Sequence, residues 1–147
     1  MKKLTGWVVA MWAGLAWAEG SVIGYWKTID DKTSAEKSIV RIYEHEGKVF
    51  GRVVKVLTDP SATAKLPGSP KIEGLDIIKN LSKNGEKYEG GKVLDPQSGK
   101  VYACQVWLEK GDLVMRGSLF GFGRKQTWKS TAELPDQEAK PVPRTDW

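Results

Sequence analysis

The feature that most constrains this chain is a series of eight short segments rich in Val, Ile, Tyr, Phe and Trp, separated by Gly, Asp, Asn and Pro. β-Branched and aromatic residues favour strands, whereas the residues between them favour turns. No window shows the sustained apolar period of about 3.6 residues that an amphipathic helix requires. The pattern therefore predicts an all-β fold, with strands over residues 22–28, 38–44, 48–57, 75–80, 88–94, 100–109, 112–119 and 124–130.

The residues between these segments predict how the strands are joined. Glu46-Gly47 and Lys110-Gly111 each supply a glycine, which adopts positive φ without strain, between two strand-like segments. In residues 95–99 (DPQSG), the Asp95 side chain is suited to bond the backbone that follows, and Gly99 suits a left-handed exit. Consecutive hairpins make neighbouring strands antiparallel, which leaves a sandwich or a barrel. We predict a single antiparallel up-and-down β-barrel of about eight strands, because closure removes exposed edges.

Two stretches do not fit the hairpin pattern. Residues 58–74 contain three prolines and are too long for a tight turn, so we interpret them as a surface loop or a lid. Residues 131–147 are polar and contain three further prolines. We predict a flexible tail there, after a barrel domain over residues 19–130.

The first 18 residues have the pattern of a cleaved secretory signal peptide. Two lysines begin the chain, an uncharged and mostly apolar run covers residues 4–17, and Ala16-Trp17-Ala18 ends it with small residues around a large one. A helix over that run would span only about 21 Å, less than the roughly 30 Å of a bilayer core. We therefore expect cleavage after Ala18 and a soluble mature protein, without a transmembrane segment, that is periplasmic or secreted.

The charge pattern argues against nucleic-acid binding. Removal of residues 1–18 takes away two lysines and no acid, which lowers the formal net charge from +5 to +3. The remaining basic residues alternate with acids, as they do between residues 27 and 37, which is typical of a solvated surface.

Residues suited to catalysis or metal binding are few. Cys104 is the only cysteine, so no internal disulfide forms, and its strand-like surroundings indicate a buried core thiol. A nucleophilic Cys104 would need a base, and the only histidine, His45, is predicted at a hairpin tip. One His and one Cys exclude a His/Cys zinc site, and Asp30-Asp31 is better explained as a turn than as a metal site. We expect no enzymatic activity, no metal and no cofactor.

Several motifs together resemble one bacterial family. They are residues 24–31 (GYWKTIDD), 38–43 (SIVRIY), 74–78 (GLDII), 90–102 (GGKVLDPQSGKVY), 115–117 (MRG) and 123–128 (GRKQTW). Their order and spacing are similar to domain-of-unknown-function family 2147 over residues 23–129. The resemblance implies an exported, lipocalin-like barrel and no established activity. Many members carry a cysteine pair near the positions of Phe50 and Glu73, which this chain lacks, so we expect a looser long loop.

The first predicted strand also resembles the Gly-x-Trp signature of lipocalins. In that signature the tryptophan plugs one end of the barrel and an arginine from a late strand lies across its ring. The resemblance assigns Gly24 and Trp26 to the closed end, with Arg124 or Arg116 as the arginine. A guanidinium over an indole contributes roughly 0.5 to 2 kcal/mol.

Alternation along the strands decides which side chains face the lumen, and here the sequence is ambiguous. Residues 38–44 and 100–109 carry apolar side chains on both faces, so either face suits the lumen. Candidate ligand-binding residues that combine apolar walls with cationic anchors are Arg41, Tyr43, Tyr102, Trp107, Met115, Arg116 and Trp128. The alternative is core packing for each aromatic residue and a solvated strand face for each arginine.

Two functions fit these features. The first is a barrel that binds a small hydrophobic or amphipathic molecule, such as an acyl chain with an anionic head. The second is an envelope interaction or structural module, with a filled barrel, that binds a protein partner through its long loop or outer face. A retained ligand distinguishes the first function from the second.

Overall fold

The chain forms a closed barrel of eight antiparallel strands in a computed structural model that describes residues 20–119, 122–135 and 137–147. The strands are β1 (Gly24–Ile29), β2 (Glu36–His45), β3 (Lys48–Val56), β4 (Asp76–Asn84), β5 (Lys87–Leu94), β6 (Val101–Glu109), β7 (Asp112–Leu119) and β8 (Phe122–Thr131). The predicted all-β class, strand number and up-and-down order are confirmed. The signal peptide predicted over residues 1–18 lies outside the described residues.

Each strand pairs with its neighbours in the chain, and β8 closes the barrel against β1. The closing pairs include Trp26 opposite Ser130 and Lys27 opposite Lys129. We call the end where β1 begins the base and the opposite end the mouth. Short turns join the strands at the base, whereas the long loop lies at the mouth.

The turns have the conformations that their residues predict. Glu46 and Gly47 both adopt positive φ, 51° and 79°, and Lys110 and Gly111 adopt 52° and 84°. These values suit a two-residue hairpin, because such a turn follows the twist of the flanking strands. The β5–β6 connection, residues 95–100, likewise uses its aspartate side chain to accept backbone and hydroxyl hydrogen bonds.

The core fills the base half of the barrel. Trp26 is 5% exposed there, and its indole Nε1 donates a hydrogen bond to the carbonyl oxygen of Val22, 2.8 Å away. Fully buried aliphatic side chains from β2, β4 and β7 surround it, namely Ile42, Leu81 and Leu113. Large side chains from four strands therefore close this end without a loop.

The long loop, residues 57–75, is held against the barrel rather than left loose. Its two arms form a small bridge at Thr63 and Lys71. Ala64 is 1% exposed, and the amide of Lys65 donates to the carbonyl of Pro96 in the β5–β6 turn. The Glu73 carboxylate accepts the amide of Val56 at 2.9 Å. Hydrogen bonds therefore hold the loop against the barrel without a disulfide.

The C-terminal segment differs from the flexible tail that its polar composition predicts. The described residues 132–135 and 137–147 form no strand, yet this segment packs across the outer face of β2, β3 and β4. Arg41 donates to two carbonyl oxygens of the segment, and Arg52 contacts the carboxylate of Glu138 at 3.0 Å. Trp147 donates from Nε1 to the carbonyl oxygen of Asp76 at 2.8 Å. Polar side chains on the sheet donate hydrogen bonds to backbone carbonyl oxygens of this segment. The segment therefore docks on the barrel, although its polar composition predicts a flexible tail.

Gly91 allows β4 and β5 to approach closely. A Cβ atom at this position would overlap the carbonyl oxygen of Lys79 and lie 2.9 Å from the carbonyl carbon of Asn80. We expect Gly91→Ala to lower the free energy of unfolding by about 1–3 kcal/mol, because the strand backbones must separate. Chemical denaturation with tryptophan fluorescence measures this. Gly117→Ala is the control, since its Cβ would meet only side-chain atoms, the nearest at 3.3 Å. Equal stabilities of the two variants would contradict the prediction.

Candidate functional site

The upper half of the barrel contains a cavity of about 740 Å³ that opens at the mouth. This volume lies within the roughly 300–1,000 Å³ typical of small-molecule sites. The cavity exists because the inward positions near the mouth carry valines, a threonine, a serine and a glycine, whereas the base carries large side chains. The long loop contributes three side chains to the cavity, those of Thr58, Ala62 and Ile72, and so covers part of the mouth.

The wall of the cavity is mostly apolar. Its apolar and aromatic strand residues come from both sides of the barrel and are Ile29, Val53, Val56, Ile77, Val93, Leu94, Tyr102, Met115 and Trp128. Trp128 is 2% exposed and marks the boundary with the base core, because it pairs with the fully buried Leu113. Polar groups also reach the wall. The hydroxyls of Thr28 and Ser38 bond to each other at 2.8 Å, and the Gln126 side chain accepts from the Trp128 indole at 3.0 Å.

The mouth carries charges of both signs, but its acids are engaged. The Asp30 carboxylate accepts the amides of Lys32 and Thr33, and these bonds lower its pKa, with Thr33 the larger cause. The Asp95 carboxylate is used in its own turn. Asp31 lies 3.8 Å from the guanidinium of Arg124.

Two lysines complete the rim of the cavity. Lys32 is exposed and Lys37 is half-buried, and both line the opening. Within the described part of the chain, neither makes an ion pair. The rim therefore offers two cations to a ligand that reaches the mouth.

Three of the predicted ligand-binding residues lie together on the cavity wall. Tyr102, Met115 and Trp128 come from β6, β7 and β8, respectively, and all three face the lumen. The ring of Tyr102 extends across Gly117, whose missing side chain leaves room for it. Whether these residues bind a ligand stays a prediction.

The other four predicted ligand-binding residues, Arg41, Tyr43, Trp107 and Arg116, lie on the outer face of the barrel and do not line the cavity. Arg41 and Tyr43 are covered by the C-terminal segment and by neighbouring strands. This cover explains why the outer face of β2, like its inner face, carries apolar side chains. The Trp107 ring packs under the ammonium of Lys87 at 4.6 Å, and Arg116 is exposed.

The predicted barrel-end group is only partly assembled. Gly24 and Trp26 lie at the base, where β1 begins. Arg124 lies at the mouth, six residues along β8 from Ser130, the partner of Trp26, which corresponds to about 20 Å of strand. Arg116 is on the outer face. The assignment of Arg124 or Arg116 to the Trp26 ring is therefore wrong, and the carbonyl of Val22 binds the indole instead.

The groups suited to chemistry are sparse in the described residues. Cys104 is 2% exposed on the inner side of β6, which confirms the prediction of a buried thiol. Burial raises the pKa of this thiol to about 12. Among the residues that the structure describes, no three His, Cys, Asp or Glu side chains come together as metal ligands, and no helix is suited to cross a membrane.

Several cavity residues were not predicted, and one signal identifies some of them. Lys37 and Gln126 line the cavity, as do Val53 and Val93. In 38–44 the correct face is the one without a basic residue, which carries Ser38, Val40 and Ile42, whereas Arg41 lies on the other face. The rim residues carry no such signal, because loop positions have no fixed alternation.

A closed antiparallel eight-stranded barrel, with a tryptophan-packed base and a cavity open at the other end, defines a lipocalin-like protein. A solved structure supports this class: protein HP1028 from the human pathogen Helicobacter pylori, which belongs to the lipocalin family, superposes with a TM-score of 0.64. The two sequences are 22% identical, and the match covers 77% of this chain and 84% of that chain. At this identity the likeness establishes the fold alone.

The sequence itself identifies the family. Residues 24–130 match the model of DUF2147, described as an uncharacterized protein conserved in bacteria. The chain belongs to this family, as its motifs indicated. A search of curated proteins found no match.

The buried thiol makes the stability of the protein sensitive to alkaline pH. The unfolded thiol releases its proton near pH 9.0, whereas the folded thiol keeps it until about pH 12. The contribution of the buried, protonated thiol to the free energy of unfolding is therefore complete below pH 9 and is lost as the pH rises towards 12. We expect the free energy of unfolding to fall less steeply over this range in Cys104→Ala than in the wild type. Denaturation series at stepped pH measure both slopes, and parallel slopes would contradict the prediction.

Proposed function

We propose that this protein is an exported lipocalin-like carrier that binds a small amphipathic molecule, with its apolar part in the barrel and an anionic head at the mouth. The observation that carries the proposal is the cavity of about 740 Å³ between apolar walls. Each methylene group that leaves water for such a wall contributes about 0.8 kcal/mol. An acyl or similarly apolar chain is therefore the best match to the wall.

The charges at the rim support an anionic head group. Lys32 and Lys37 lie at the opening, and Arg124 is held there only by a 3.8 Å contact with Asp31. A carboxylate or phosphate at the rim would gain charge-assisted hydrogen bonds from these groups. The hydroxyls deeper in the wall are already paired with each other.

The alternative of a structural module with a filled barrel has less support. It requires a lumen packed along its whole length, whereas only the base half is packed. A protein partner bound to the outer face remains compatible with a ligand in the lumen, so the experiments below test the ligand directly.

A lumen-filling variant tests ligand binding. Val93 lies on the cavity wall, and Val93→Phe places a ring in the space that the ligand would occupy. We expect purified, delipidated wild-type protein to bind myristate, and Val93→Phe to bind it at least about tenfold more weakly. Val101→Phe is the matched control, because Val101 is 37% exposed. Tryptophan fluorescence reports binding: Trp128→Phe should lose most of the signal change, and Trp107→Phe, altered on the outer face, should keep it.

Comparison of myristate with the uncharged tetradecanol tests the head group. Lys37→Gln should weaken binding of myristate and leave binding of tetradecanol unchanged. Equal loss for both ligands would exclude a head-group contact at the rim. Failure of the wild type to bind either molecule, together with an empty protein in native mass spectrometry, would exclude the carrier function.

Export is tested by the mass of the protein from its own cells. We expect the envelope fraction to contain a chain that begins at Glu19, because the predicted signal peptide ends at Ala18. Intact mass spectrometry of fractionated cells measures this. An intact N-terminus in the cytoplasmic fraction would contradict export.

A further inference from the structure

A second, smaller cavity lies on the opposite side of the barrel wall, between β2, β3 and the C-terminal segment. Its volume is about 120 Å³, roughly that of four liquid waters at about 30 Å³ each. Its lining includes three guanidiniums, those of Arg41, Arg52 and Arg144, and one carboxylate, that of Glu138. The space is too small for an acyl chain and has the size of a small polyatomic ion.

The arginine at the centre of this cavity is held rigidly. The Arg52 side chain is 6% exposed, and its Nε donates to the carboxylate of Asp76 at 2.7 Å. The Tyr43 hydroxyl and the Arg144 amide bond to the second oxygen of that carboxylate. Burial, and then the bond to Asp76, raise the pKa of Tyr43 above its usual range, so it stays a donor. A donor fixed in this way loses little entropy when it binds a ligand.

The three guanidiniums retain unused hydrogen-bonding capacity. Each carries five N–H groups. Arg41 and Arg144 each use two of them and Arg52 uses three, in bonds to described residues. Eight N–H groups of the cluster thus make no bond within the described part of the chain.

The charges of the cluster do not cancel. Glu138 lies 3.0 Å from Arg52 and 3.3 Å from Arg144, and Asp76 neutralises Arg52 from behind. Among the residues that the structure describes, two carboxylates therefore face three guanidiniums, which leaves one positive charge around a partly enclosed space. This site differs from the rim of the lumen, because its donors belong to the sheet and to the C-terminal segment together.

We propose that this cavity is a binding site for a small tetrahedral oxyanion, phosphate or sulfate, that links the C-terminal segment to the sheet. Guanidiniums bind such anions through paired N–H groups, and the enclosure limits the site to an ion of this size. The anion would contact Arg41 and Arg52 on the barrel and Arg144 on the segment. Occupancy would then stabilise the docked segment and raise the unfolding temperature.

Inorganic phosphate is the probe, compared with chloride at matched ionic strength because screening alters all surface charges. We expect saturable binding in calorimetry and a rise of a few degrees in the unfolding temperature of the wild type. Arg144→Gln should lower the affinity at least about tenfold, since one charge-assisted bond is lost. Arg116→Gln is the control, because it removes the same charge from an exposed position on β7. Equal effects of the two substitutions would show general attraction to a basic protein and overturn the proposal.

Glu138→Gln separates a binding site from a merely structural cluster. Removal of the carboxylate takes away the negative charge that faces the anion, while the amide oxygen still accepts from Arg52. We expect phosphate affinity to rise several-fold. If the cluster only docks the segment, the same substitution should weaken docking and lower both stability and phosphate response. That result, or the absence of saturable binding by the wild type, would overturn the proposal without affecting the lumen ligand.

Discussion

The pairing of β8 with β1 is the constraint on which the rest of the structure depends. It joins the first and last strands, so the sheet closes on itself and each strand pairs with a neighbour on both sides. Eight strands also fix the width of the interior, which is just enough to be filled by side chains or to hold one small ligand. This protein does both, because large residues fill the base and small ones line the mouth.

This division of the lumen follows from the direction of the strands. Trp26 lies near the start of β1 and Trp128 lies near the end of β8, so both indoles are in the half of the barrel towards the base. Valines from β3 and β5 occupy the other half and leave the space above Trp128 open. The proposed ligand would therefore rest on an indole, with its charged group at the loops.

Strand order was predictable from the sequence, whereas side-chain direction was only partly so. Turn pairs such as Glu46-Gly47 set both the ends of strands and their antiparallel order, because glycine adopts the positive φ of a tight hairpin without strain. Of the candidate ligand-binding residues, Tyr102 and Met115 line the lumen, whereas Arg41 and Tyr43 lie on the outer face. The reason is physical, because β2 is covered by the core on one face and by the C-terminal segment on the other. The alternation of side chains along β2 therefore does not show which face points into the lumen. Contacts made over nearly a hundred residues, such as Arg41 to Glu138, leave no local pattern.

The C-terminal segment also bears on where the structural unit ends. The family match stops at residue 130, with the last strand, and by that measure the remaining residues look dispensable. Yet the segment covers Arg52 and Asp76, an ion pair with side chains 6% and 0% exposed. A boundary drawn at the last strand would expose both charges to water and leave the outer surface of three strands bare. In this protein the region of family similarity therefore ends before the folded structure does.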